Sequence, residues 1–123
     1  MGGEEVKVNV LGTEYTINKY NYKDKPEFEK GKIDGYCDRV LKEIAYADMT
    51  TYPGYENETK ESCNIVEKQV IRHEIVHAFL SESGLQDNAG QPVGAWCANE
   101  EMVDWIALQF PKMLKAFQEV GCL

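Results

Sequence analysis

Two histidines and one glutamate carry the strongest chemical signal in the chain. They lie in Val70-Ile71-Arg72-His73-Glu74-Ile75-Val76-His77-Ala78-Phe79-Leu80, as His-Glu-x-x-His. Four residues of α-helix turn through about 400°, so His73 and His77 project from one face, one turn apart. That spacing suits two imidazoles holding one Zn²⁺ at about 2.0–2.1 Å. Glu74 lies beside the pair, where it reaches a water on the ion as a general base and then carries the proton to a leaving amine. The chain contains only 2 histidines, and both are here. The segment is apolar around most of its circumference, so most of it should be buried, and ionisable groups buried there unpaired would be costly. The alternative use of the same residues is structural: two hydrogen-bonded histidines on a helix face, with Glu74 in an ion pair.

A catalytic zinc of this kind needs a third protein ligand and one open position. With no further histidine, that ligand is Asp, Glu or Cys. Downstream, Asn99-Glu100-Glu101-Met102-Val103-Asp104-Trp105-Ile106-Ala107 supplies three carboxylates on an expected helix, and Cys97 precedes it. An acidic first turn is also what the helix dipole favours without any metal. Glu100 and Asp104 are four apart and share a helix face.

His-Glu-x-x-His followed by Asn-Glu-x-x-x-Asp resembles the gluzincin clan of zinc peptidases. The resemblance implies that Glu100 is the third ligand and that Asp104, one turn later, hydrogen-bonds a metal-binding imidazole from behind. A carboxylate there fixes the tautomer and raises the basicity of the ring. Glu100 is preferred to its rival Glu101 because the residue four further on is a carboxylate for Glu100 and Trp105 for Glu101. More narrowly, Glu100-x-x-Val103-Asp104-x-Ile106-Ala107, ending at Phe110-Pro111, is similar to the Glu-x-x-Ala-Asp-x-Phe-Ala pattern of the ImmA/IrrE-type metallopeptidases. Val103 and Ile106 depart from that pattern. Gly35-Tyr36-Cys37-Asp38 and Lys42-Glu43-Ile44 fit the usual layout before the helix. The resemblance spans about 33–111. It implies an α+β, minimal zincin-like domain with Zn²⁺ as cofactor, hydrolysing a peptide or protein substrate, and a cytoplasmic setting associated with phage or mobile elements. The rival expectation is a catalytically silent zinc-binding or regulatory interaction protein of such an element. A metal-free structural domain is the third.

The elements that must position these residues are legible as patterns. Val6, Val8 and Val10 alternate with Lys7 and Asn9, the period of a half-buried strand. A hairpin turning near Leu11–Glu14 is expected within about 5–20. Residues 21–32 read as a short helix or a loop. A second hairpin is expected, with strands about 34–40 and 43–49; a helix over 36–48 is the competing reading. Together the two hairpins give a small antiparallel sheet packed on a long helix and on a second, ligand-bearing helix. Tyr36 and Tyr46, in the second hairpin, are candidate oxyanion-stabilising hydroxyls. An extended substrate is expected to add to the edge around Ile44–Met49. Thr50 to Asn57 is expected to be loop. The long helix should begin near Thr59 and end before Gly84, well placed as its C′ residue. Residues 86–97 read as loop, and a helix runs from about 98 to 110. Pro111 is expected to stop or kink it, before a short amphipathic helix over 112–120.

Composition bounds the rest. The chain's 123 residues fit one domain, 1–123. It is 43% hydrophobic and 28% charged, which argues against wholesale disorder. Thirteen basic against 21 acidic residues give −8. With no basic cluster, a nucleic-acid partner is not expected. No apolar run approaches the roughly 20 residues of a membrane span. The start, MGGEEVKVNV, has no apolar core of a signal peptide. The 4 cysteines form no CxxC pair and are expected as free thiols in a reducing compartment.

Overall fold

A computed structural model describes residues 5–85 and 99–123. The chain is α+β, with four strands and three α-helices among the described residues. Strands β1 (Val6–Val10) and β2 (Thr13–Tyr20) form the first hairpin. Leu11 and Gly12 turn it, both at positive φ, and the Gly12 amide donates to the Asn9 side chain at 2.9 Å. Helix α1 (Pro26–Gly31) follows a 3-10 turn at Tyr22–Asp24. Strands β3 (Gly35–Asp38) and β4 (Glu43–Ala47) are antiparallel. The second hairpin is therefore shorter than its hydrophobic pattern predicts. Asp38 ends β3 by accepting the Val40 and Leu41 amides on its carboxylate, which leaves both apolar side chains exposed. The competing helix over 36–48 is not formed.

The sheet is mixed, with order β1-β2-β4-β3, and this corrects the expectation of a purely antiparallel one. β2 and β4 pair in parallel, with Ile17 opposite Ile44. The connection through α1 and β3 returns the chain in the same direction, which is the kind of crossover parallel pairing requires. Ala45 and Ala47 leave room for Phe28 of α1, and all three are fully buried in one cluster. A second cluster joins Val10, Tyr15, Ile17 and Ile44 to Ala78, with Ile71 and Ile75 packed against it.

Helix α2 (Lys60–Glu82) contributes Ile71, Ile75 and Ala78 to that second cluster. Its ends match the expected signals: Thr59 caps it by accepting the Ser62 amide at 3.0 Å, and Gly84 lies just beyond at φ 92°. The loop expected from Thr50 begins with a 3-10 turn at Met49–Thr51. Buried Glu67 ties that turn and the sheet to α2, accepting the Met49 amide at 2.9 Å and pairing with Lys19 at 3.1 Å.

Helix α3 (Glu100–Glu119) packs antiparallel on α2, with Val103 against Leu80 and Val76. It passes through Pro111, so that residue neither ends it nor begins a separate helix. A proline lacks the amide that would bond the carbonyl four residues back. Here that carbonyl belongs to Ala107, and Arg72 of α2 donates to it through Nε at 2.6 Å. An orphan buried carbonyl would cost about 1–3 kcal/mol. A tertiary contact therefore removes the penalty that local rules assign to Pro111. The expected loop over 86–97, with Cys97, lies outside the described residues. Cys37, Cys63 and Cys122 are free thiols.

At the end of α2, Glu82 is the meeting point of three donors: Lys42 and Tyr15 at 2.7 Å and Thr13 at 2.9 Å. They hold its carboxyl at about 2, against an ordinary 4.5. A depressed acid stabilises the fold above its ordinary value, and that contribution disappears as pH falls towards 2. Urea melts of wild type and Glu82→Gln should differ most at pH 5–7 and converge as pH approaches 2. A constant difference across that range would contradict this assignment.

Candidate metal centre

The geometry follows from two helices meeting at one point. On α2, His73 and His77 stack edge to face, with ring centroids 4.9 Å apart. From α3, the carboxylate oxygen Oε1 of Glu100 lies 3.0 Å from His73 Nε2 and 3.2 Å from His77 Nε2. Asp104 Oδ1 lies 2.7 Å from the other nitrogen of His73, Nδ1. The structure thus brings together His73, His77, Glu100 and Asp104. Glu101 is exposed and outside the group, while Glu100 belongs to it.

The donor set fits a cation on a simple count of protons. A neutral imidazole has one N–H and one acceptor nitrogen. His73 has a carboxylate oxygen at each nitrogen, so one of the two contacts needs a further proton, on the ring or on the acid, or a metal ion. A metal on Nε2 leaves Nδ1–H to donate to Asp104, the arrangement that orients a ligating imidazole. Distances agree as well. Ligand atoms about 2.0–2.1 Å from a tetrahedral ion lie about 3.3–3.4 Å from one another. The two imidazole–carboxylate separations are 3.0 and 3.2 Å, and the three ligand atoms all lie within 4.8 Å of one another. Two imidazoles and a carboxylate suit zinc by ligand type.

A cavity of about 830 Å³ opens beside this group, lined by β3, by the exposed rim of α3 and by the α2 face bearing His73, Glu74 and His77. Glu74 is buried, and burial pushes its carboxyl up to about 7, with Glu100, Asp34 and Asp104 adding repulsion and His73 opposing it. The predicted burial of the surrounding segment holds for Val70, Ala78 and Leu80, while Phe79 is exposed. Ligand-side exposure is uneven: both histidine side chains are 19% exposed, but Glu100 is 70% and Asp104 62% exposed.

Of the two tyrosines singled out from the sequence, Tyr36 lines the cavity and Tyr46 does not. The Tyr36 ring packs 5.9 Å from Phe28, and its hydroxyl pairs with Lys25. Tyr46 packs against the Ile17–Ile44 cluster and is not among the cavity's lining residues. Tyr52 does line the cavity. Asp34 was missed. It lines the cavity, and burial raises its carboxyl while His73 opposes that rise. Its one sequence signal is its place immediately before Gly35.

Gly35 sets the width between sheet and helix. A Cβ there would lie 2.6 Å from Val70 Cγ1 and 3.1 Å from the Ala45 carbonyl oxygen, so only glycine lets β3 approach α2 this closely. No protein-family profile, curated protein or solved structure matches the chain.

Overpacking at this contact generates a prediction. Gly35→Ala should destabilise the protein by about 1–3 kcal/mol. Val70→Ala removes the obstructing methyl, so the double variant should cost clearly less than the two single changes added together in urea denaturation. Strict additivity would show that the contact does not set the spacing.

Proposed function

We propose that the chain is a zinc-dependent metallopeptidase in which His73, His77 and Glu100 hold the ion and Glu74 is the general base. The observation that carries this reading is the convergence of both imidazole Nε2 atoms on one Glu100 oxygen, at 3.0 and 3.2 Å. A bound Zn²⁺ supplies a Lewis acid that polarises a scissile carbonyl and lets water lose a proton near neutral pH. Glu74 takes that proton on its carboxylate and delivers it to the leaving amine; a carboxyl lifted towards neutrality by burial is suited to both steps. Asp104 accepts the Nδ1 proton of His73 and so keeps Nε2 aimed at the ion.

The substrate's place differs from the sequence expectation. β4 lies between β2 and β3, paired on both sides, so an added strand cannot pair along Glu43–Ala47. β3 is the sheet edge and lines the cavity. An extended peptide pairing with Gly35–Asp38 passes along the α2 face that carries Glu74.

A second reading is favoured by the exposure of Glu100 and Asp104, which leaves the α3 side of the cleft shallow. On that reading the chain is a metal-binding interaction protein, silent in hydrolysis or active only in complex with a partner.

Zinc content and peptide-library cleavage separate the two. Wild type should bind one Zn²⁺ per chain, and Glu74→Gln should retain it while losing about 10²–10⁴-fold in hydrolysis. His77→Ala should lose both. Stoichiometric zinc with no cleavage of any peptide selects the interaction protein, and full activity in Glu74→Gln removes Glu74 as the base.

A further inference from the structure

Glu100 and Asp104 are held by α3 more than by their own surroundings. Their side chains are 70% and 62% exposed, so little packing fixes them. Their position depends on how α3 sits on α2. The apolar part of that contact is Val103 and Met102 against Leu80 and Val76. Apolar burial is non-directional, and it tolerates rotation or sliding of a helix better than a hydrogen bond does. A slip of one residue turns a helix by about 100° and would carry Glu100 off both rings.

Outside the histidine–carboxylate group itself, a directional element is the bond from Arg72 Nε to the Ala107 carbonyl at 2.6 Å. Both ends of this contact are unusual. Ala107 is 1% exposed, and its carbonyl lacks an intrahelical donor because residue 111 is proline. Arg72 directly precedes His73, and Ala107 lies three residues beyond Asp104. The bond therefore sits next to the His73–Asp104 pair and on the same two helices.

We propose that Arg72 and Pro111 form an interhelical latch that positions Glu100 and Asp104 against His73 and His77. Pro111 exposes the carbonyl, and Arg72 uses it to fix the rotation and register of α3. Arg72 is a positioning residue. The proposal rests on the metal reading for its purpose, while the latch is testable without metal.

The test uses Co²⁺ as a spectroscopic probe in the full chain, with Arg72→Met, Pro111→Ala and the double variant. Wild type should bind one Co²⁺ with the strong visible bands of a four-coordinate site. Arg72→Met should lose affinity by about 10–100-fold, the range for losing a group that orients metal ligands, and its bands should weaken. In the double variant an amide returns at position 111 and bonds the Ala107 carbonyl, so thermal stability should recover. Co²⁺ affinity should not recover, because nothing then ties α3 to α2 at that point. The double variant also covers the case in which Arg72→Met alone does not fold. In metal-free protein, nitrogen-15 NMR should show the Nδ1 proton of His73 hydrogen-bonded in wild type and altered whenever Arg72 is lost.

Wild-type affinity and bands in the double variant would overturn the latch and leave Arg72 as a mere partner for an orphan carbonyl. If wild type itself takes up no Co²⁺, the metal reading fails; the NMR comparison then judges the latch alone, and an unchanged His73 signal would overturn it.

Discussion

An imidazole with a carboxylate oxygen at each nitrogen needs a second proton, on the ring or on an acid, or a metal ion at one of the two contacts. His73 is in that position, 2.7 Å from Asp104 and 3.0 Å from Glu100. His77 points its Nε2 at the same Glu100 oxygen. Asp34 and Glu74 line the same cavity, and burial raises both of their carboxyls. Four carboxylates, those of Asp34, Glu74, Glu100 and Asp104, thus share the cavity lining with the basic side chains of Lys32 and Arg39. A divalent ion would satisfy the two imidazoles and the carboxylate together and would lower the cost of holding Glu74 ionised nearby.

Holding that group together requires α2 to be fixed on both sides. Towards the sheet, Gly35 permits the close approach beside Val70, while Glu67 and Glu82 tie the helix to strands and turns at different points along it. These polar contacts are directional, and they set position along an axis that packing of Ile71, Ile75 and Ala78 alone leaves loosely defined. Towards α3, the apolar contact is small: Val103 and Ala107 are the only residues of α3 that are fully buried. The register of the carboxylates therefore depends on few contacts.

Much of this was legible in the sequence where the rules are local. Thr59 and Gly84 mark the ends of the long helix, and the four-residue spacing puts both histidines on one face. The group formed by His73, His77, Glu100 and Asp104 matches the residues picked out by the helix-face argument and the family resemblance. What escaped was non-local. The hydrophobic alternation of 43–49 identifies a strand but cannot say that β2 is its parallel neighbour, because the period is the same on either side. Pro111 reads as a helix end until Arg72, distant in sequence, is known to satisfy the carbonyl it frees. Asp38 shortens β3 through its side chain, a turn signal weaker than the apolar residues that follow it.

Several of the places where local rules fail lie close together. A glutamate is buried at position 74, an imidazole is bracketed by two acids at 73, and a proline sits inside α3 at 111. A strand carries glycine at 35 where a side chain would collide. All four lie around the α2–α3–β3 junction, and at Pro111 the compensation is the Arg72 donation to the Ala107 carbonyl. Sequences tend to break such rules where a site needs a geometry that folding alone would not choose. Three of these exceptions, at 35, 73 and 74, line one cavity, and that is an argument for function there that does not depend on likeness to any other protein.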